Sequence, residues 1–312
     1  MKDSQKESIF GGRKKKSPGE RIAGIFFRGC AAFALSAVLA MTVYLFISGF
    51  PAIREVGVRE ILTGTSWKPT AEEPAYGIAY VILTSVVGTF FAVLIGVPLG
   101  ILTAVFLAEF SGKKLAGVIR AAVELLAGIP SVIYGLLGLY LLSPLMYRLE
   151  RKLFSDSGTH QFTGGANLLS AVLVLAVLVL PTVVNVSETA IRSVRRDIKE
   201  ASLALGASHM QTIFRAVLPS ARSGIATAAV LGSGRAMGEA MAIIMVSGNS
   251  VNLPFPFRSV RFLPTAIVSE MAYAQGTHRQ VLFAIGLVLL SFIVLVQLVL
   301  KGLVKDEEEK YE

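Results

Sequence analysis

Charge is scarce in this chain. Asp, Glu, Lys and Arg make up 16% of its 312 residues, against about a quarter in ordinary soluble domains. With 54% hydrophobic residues, it has too little polar surface to cover itself in water, so the membrane class comes first. Cysteine is limited to Cys30; no disulfide can close within the chain, and the redox compartment stays open. The three histidines, His160, His209 and His278, are scattered over loops and make no metal set. No Gly-x-x-x-x-Gly-Lys-Ser/Thr phosphate loop occurs, so ATP hydrolysis, if used, belongs to another chain. No nucleophile stands with a base, and enzyme chemistry is not expected.

What is present is long apolar runs. A bilayer core needs about 20 apolar residues in a helix, and six stretches meet this: 22–50, 78–110, 118–146, 168–191, 224–248 and 281–304. The first follows Arg13-Lys14-Lys15-Lys16. It is nearly twice as long as the about 7–15 residues of a signal core, and Arg28 before Cys30 spoils a lipoprotein cleavage box. An uncleaved membrane helix is expected.

The net charge of +9 is read as topology, because the basic residues lie between the apolar runs. With the N-terminus inside, twenty of the 30 Lys and Arg residues face the cytoplasm, nine face out, and Arg235 lies inside the fifth run. The expected organisation is a basic cytoplasmic tail (1–21), a first membrane helix (22–50), an external loop (51–77), a five-helix core (78–304) containing a cytoplasmic loop (192–222), and an acidic tail (305–312). In the external loop Trp67 is placed to rest at the interface. Leu263, Ile267 and Met271 form a helical stripe at the outer face. Glu109, Glu124 and Glu188 stand near predicted helix ends, at the cytoplasmic interface.

The 192–222 loop is too long for a turn, and two helices can be read from it. The first opens at Asp197 with Glu200 three residues on, like a capping box. Ile198, Ala201, Ser202 and Leu205 form its stripe. Gly206 supplies the positive φ that a helix end favours. The second opens at Ser208 with Gln211 three on, carries Met210, Ile213, Phe214 and Val217, and stops at Pro219. Such a pair has no core of its own, and a partner with a groove would bury its apolar face. A helix-turn-helix reader of DNA is disfavoured, since membrane helices within about ten residues at both ends leave little reach into a groove.

Glu200-Ala201-Ser202, three residues, Gly206, nine residues, then Ala216-x-Leu218-Pro219 resembles the EAA motif of bacterial ABC importer permeases. Ser202 stands where a second Ala is usual and Ala216 where Ile is usual. The resemblance implies a coupling helix pair seated in a cleft of an ATPase subunit dimer. Glu200, Ala201, Leu218 and Pro219 would lie at the docking surface and Gly206 at the bend. ATP and Mg would bind on that partner, with no cofactor in this chain.

The fifth run holds Arg235 and Glu239 among Gly232, Ser233, Gly234, Gly238 and Ala242. Arg235 is about 17 Å from the cytoplasmic edge at 1.5 Å per residue, and a cation there costs at least about 2.5–3.5 kcal/mol. In a continuous helix Glu239 is one turn further on the same face, within pairing reach. Two readings stand: an ion pair that fixes packing, and a site or gate that senses an anion in transit. A guanidinium fork suits a tetrahedral oxyanion. Ser131 and Tyr134 offer hydroxyls to such an anion or to packing. Pro130 and Pro181 permit kinks.

Gly234-Arg235-Ala236-Met237-Gly238-Glu239 is similar to the fifth-helix signature of phosphate-specific (Pst) importer permeases. The run from Glu124 to Gly135, and Trp67-Lys68-Pro69 followed by Tyr76-Gly77-Ile78 and Thr84-Ser85, agree, the latter favouring the C-type subunit. The resemblance covers about residues 40–305. It implies an all-α integral membrane protein of six transmembrane helices with the type I (MetI-like) importer permease fold. Its setting would be a bacterial or archaeal cytoplasmic (inner) membrane, with both termini cytoplasmic. Its partners would be a second permease subunit, two ATPase copies, a periplasmic or surface-anchored phosphate-binding protein, inorganic phosphate and membrane lipid, and no nucleic acid. Rival readings are a permease for sulfate or molybdate, the paralogous A-type subunit, a secondary transporter or channel, and a membrane-embedded scaffold or sensor.

Overall fold

The computed structural model describes residues 18–309. The basic tail expected at 1–21 lies outside the described residues except for 18–21, as do residues 310–312 of the acidic tail. The chain divides into two units, up to Ile47 and from Ser48 onward. The first unit is most of helix α1 (Pro18–Glu55). Phe26, Phe33, Leu35 and Val38 are exposed on different sides of it. A helix apolar all round that its own unit leaves bare is one that lipid must cover. Its hydroxyls turn inward: Ser36 donates to the Phe33 carbonyl and Thr42 to that of Val38, which satisfies them away from water.

The second unit begins with the last residues of α1, a short α2 (Val58–Thr63), and a hairpin of β1 (Trp67–Lys68) and β2 (Ala75–Tyr76) that pairs Trp67 with Tyr76. Helix α3 (Ala79–Val105) runs into a π turn, Phe106–Phe110. Helix α4 (Lys113–Gly128) follows. Then α5 (Ser131–Leu137), a second π turn (Gly138–Leu142) and α6 (Ser143–Phe154) form one continuous rod. Helix α7 (Leu168–Arg192) is the centre of the unit. Its Ala171, Leu175, Leu178, Val179 and Val183 are buried against α3 and the fifth run. Asn167 starts it by accepting from the Ser170 N–H at 3.0 Å, and the helix continues through Pro181.

Beyond α7 come α8 (Arg196–Ala204), α9 (His209–Thr212), a third π turn (Ile213–Val217) and α10 (Leu218–Ser220). They are followed by α11 (Arg222–Gly238), α12 (Met241–Val246), α13 (Leu263–Glu270) and α14 (Gly276–Glu309). The acidic run 306–309 is therefore helical backbone. The unit has two ends. One carries the hairpin and α13; the other carries α8–α10.

Five helical stretches among the described residues are long and apolar enough to cross a membrane: Ala23–Glu55, Ala79–Phe110, Ser131–Phe154, Leu168–Arg192 and Gly276–Gly302. Two expectations change. The third span starts at Ser131, not at residue 118. Pro130 drives Ile129 into an extended conformation (ψ 127°) and ends α4. Helix α4 is amphipathic instead, burying Ala116 and Val123 with Leu107 and Val184. The fifth run is not one helix: the chain leaves α11 at Glu239 (ψ 124°) and restarts at Met241. Among the described residues a sixth continuous span is thus not formed. The break follows three glycines in seven residues, Gly232, Gly234 and Gly238, each of low helix propensity.

The helix pair and the broken helix as candidate functional site

The α8–α9 pair is built by local chemistry. Gly206 adopts φ +84°, a region closed to most side chains. Its N–H donates to the Leu203 carbonyl (2.9 Å), and the Ala207 N–H donates to that of Ser202 (3.2 Å). This double bond is the Schellman closure of α8. At Ser208 the capping box forms: Ser208 Oγ accepts from the Gln211 N–H (3.3 Å), and Gln211 Oε1 accepts from the Ser208 N–H (2.9 Å). The box expected at Asp197 does not form. Its carboxylate is taken by the Arg195 guanidinium, Nη2 at 2.5 Å and Nε at 3.1 Å, and α8 begins at Arg196 with no side-chain cap. Ser202, the departure from the usual Ala, hydrogen-bonds Thr212 between hydroxyls at 3.0 Å and ties the two helices together.

The expected apolar face is split. Ile213 and Val217 are buried with Ala104, Val105, Ile191 and Ala221, so the chain's own helices cover that half. The other half stays open: Leu205 is 91% exposed, Met210 52% and Phe214 50%. Glu200, Ala201, Gly206 and Pro219 are exposed, and Leu218 is half-buried. Beneath the pair, Glu188 collects two guanidinium groups, Arg120 Nη2 at 2.5 Å and Arg192 Nε at 2.8 Å. Its bond to Arg120 holds that guanidinium above its usual range.

In the broken helix, Arg235 and Glu239 are not partners. Leaving the helix at Glu239 swings its side chain off the face that i, i+4 spacing implies. Glu239 Oε1 instead accepts from the Ala242 N–H (3.0 Å) at the start of α12, where a carboxylate suits the helix dipole. Arg235 lies in the last turn of α11, where a cation suits the dipole. It is half-buried, and among the described residues no ion pair or hydrogen bond is found for its guanidinium. Tyr134 is buried and donates to the Leu126 carbonyl at 2.6 Å, bridging the gap between α4 and α5. Ser131 is half-buried in the first turn of α5. Helix α5 lies close on α12 because Gly135 has no side chain: a Cβ there would stand 2.9 Å from the Ala242 Cα. Of the residues the sequence singled out here, Arg235 and Glu239 are thus not brought together.

Residues 96–307 match the profile of the family described as binding-protein-dependent transport system inner membrane component. The chain belongs to this family. A probable ABC transporter permease protein, YqgH of Bacillus subtilis, is 37% identical over 92% of this chain and 91% of its own length. The phosphate transport system permease protein PstC of Mesorhizobium japonicum is 32% identical over 86% of this chain and 85% of its own. In a crystal structure of a bacterial alginate ABC transporter with an alginate pentasaccharide-bound periplasmic protein, one chain superposes with a TM-score of 0.55. The identity is 18%, and the match covers 89% of this chain and 95% of that one; it shows the fold. The chain is an all-α, multi-pass membrane permease with the type I (MetI-like) importer architecture. ABC importer permeases of this family work with an ATPase and a periplasmic binding protein.

Sequence reasoning missed a second cluster, at the hairpin end of the permease. Glu270, buried at the end of α13, accepts from Trp67 Nε1 (3.1 Å) and Arg261 Nη1 (2.5 Å) and faces His278 Nε2 (2.7 Å). Burial, and then the Glu270 carboxylate, push the nearby Tyr273 phenol up. Trp67 and Glu270 are 203 positions apart, so no local pattern announces the contact. A carboxylate on a predicted outer helix was the only available signal.

Proposed function

We propose that this chain is the transmembrane permease subunit of an ATP-driven phosphate importer, of the C type, with both termini in the cytoplasm. The observation that carries the docking reading is the open row Leu205, Met210 and Phe214 on a pair held rigid at Gly206 and Ser208. Such a row is suited to a groove on a separate ATPase subunit, where ATP and Mg would bind. Glu200, Ala201, Leu218 and Pro219 would complete that contact. A second permease subunit would close the pathway, and a phosphate-binding protein would deliver cargo at the hairpin end. ATP-driven closure of the ATPase dimer would move the pair and turn the pathway outward; hydrolysis would reset it.

Phosphate is favoured by the likeness to PstC over most of the chain and by Arg235. A half-buried guanidinium with no acceptor among the described residues is costly, and an oxyanion passing along α11 would supply two acceptors in fork geometry. Glu239, tied to α12, would keep the site from holding its cargo too tightly. Ser131, in the first turn of α5, would add a hydroxyl, and Tyr134 would act by fixing the α4–α5 gap. The test is uptake of labelled phosphate by the reconstituted transporter, with sulfate and molybdate as competitors. Arg235→Lys keeps the charge but loses the fork, and uptake should fall at least tenfold. Full uptake by that variant overturns fork recognition; inhibition by sulfate or molybdate as strong as that by phosphate overturns the choice of anion.

A further inference from the structure

The two helices of the pair are held to the membrane helices in different ways. The second is anchored by burial, through Ile213 and Val217. Helix α8 has no buried residue at all. Among the described residues its side-chain bonds to other elements are the Ser202–Thr212 hydrogen bond, which only reaches α9, and an ion pair between Lys199 and Glu109; otherwise it packs on the Ile213–Val217 turn of the helix pair itself. The ion pair is sheltered: the Glu109 side chain is 8% exposed and that of Lys199 27%, whereas Arg195 and Asp197 on the same helix start are 78% and 58% exposed. Lys199 is thus the charge through which α8 grips the membrane helices.

Glu109 sits in the π turn that ends α3, and this turn is held from several sides. The Leu107 carbonyl accepts from Arg192 Nη2 at 2.7 Å. The Phe110 ring meets His209 of α9 edge-on at 5.7 Å between centroids. The Ser111 N–H closes the wide turn on the Phe106 carbonyl. A π turn is a common mark of a functional site in a helix, and here it points one carboxylate at α8. Beyond it, α3 packs on α7 and α11, and α11 carries Arg235.

We propose that Glu109 is a positioning residue that passes movement of α8 into α3, with Lys199 as its partner, so that the ion pair couples ATPase motion to the pathway. This inference rests on the import reading above and names the link inside this chain. Neither residue is placed at the docking surface or on the anion's route.

The test uses the complete transporter in proteoliposomes, with Glu109→Gln, Lys199→Met and the exchanged pair Glu109→Lys with Lys199→Glu. Each single variant should still assemble with its ATPase and hydrolyse ATP within about twofold of the unaltered complex. The phosphate moved per ATP should fall about tenfold, and the exchanged pair should recover at least half of it. An unchanged ratio in both single variants, or no recovery by the exchanged pair, overturns the proposal. Hydrogen exchange of the full chain in detergent gives a reading independent of cargo. Amides of α8 should exchange at least tenfold faster in Glu109→Gln while those of the Ile213–Val217 turn keep their rate; equal rates in α8 overturn the proposal. Absence of phosphate uptake by the unaltered transporter overturns the phosphate reading, and the exchange result then decides on the ion pair alone.

Discussion

The two ends of the second unit are finished differently. At the hairpin end the chain closes over its own charges. Glu270 is ringed by Trp67, Arg261 and His278, Trp67 lies edge-on to both Tyr76 and His278, and Leu263, Pro264 and Thr265 of α13 are buried. The Leu263 N–H donates to Ser85 Oγ at 2.8 Å, fastening α13 to α3. At the helix-pair end the charges are also paired, around Glu188 and Glu109, yet the tip presents Leu205, Met210 and Phe214 to its surroundings. An end that satisfies itself needs nothing further to be stable. An end that pairs its charges but leaves its apolar row open is the one that the proposed ATPase contact would cover.

Three substitutions break or sharpen this contrast. Glu270→Ala strands Arg261 and His278 in a sheltered site, and removing one partner of a buried ion pair costs about 3–5 kcal/mol. Thermal unfolding in detergent should show that loss, with amide exchange in α8–α10 unchanged. Phe214→Asp should do the reverse. Stability should stay within about 0.5 kcal/mol, as for an exposed site, while the amount of ATPase subunit retained on purification falls tenfold or more. Retention at the unaltered level would mean the open row is not the docking face. Ser208→Ala removes one cap and should cost about 1 kcal/mol, read as faster amide exchange confined to α9 and the turn after it. A similar loss at the hairpin end would show that the two ends are not independent.

What the sequence made legible follows from how local each feature is. Gly206 and the Ser208–Gln211 box are decided by neighbours within three residues, and both stand where the spacing put them. The box at Asp197 was equally local but had a competitor, Arg195, two residues away, and a full charge outcompeted a backbone N–H. The Arg235–Glu239 pairing assumed an unbroken helix. Three nearby glycines and two charges that suit opposite helix ends made the break the better solution. The third span was set too early because α4 is apolar enough by composition; its one-sided burial and Pro130 mark it as a separate helix. The Glu270 cluster was beyond reach, since Trp67 comes from 203 positions away and Arg261 and His278, though only nine and eight residues off, sit outside α13, so that no regular helical spacing links them to Glu270. The half-burial of the α9 stripe was likewise invisible, because period alone does not say which apolar residue meets the chain's own helices.

The three π turns have a consequence for comparing this chain with its relatives. Each wide turn inserts one residue, and in a regular helix one residue is worth about 100° of rotation. In the rod of α5 and α6, everything beyond Gly138–Leu142 is therefore out of phase with what precedes it, and at the end of α3 the turn resets where its own last residues face. A relative that keeps an acid aligned with Glu109 but closes that turn regularly would aim it at a different neighbour. Identity at a position downstream of such a turn is not evidence of the same facing, and the length of the turn must be matched before the residue is.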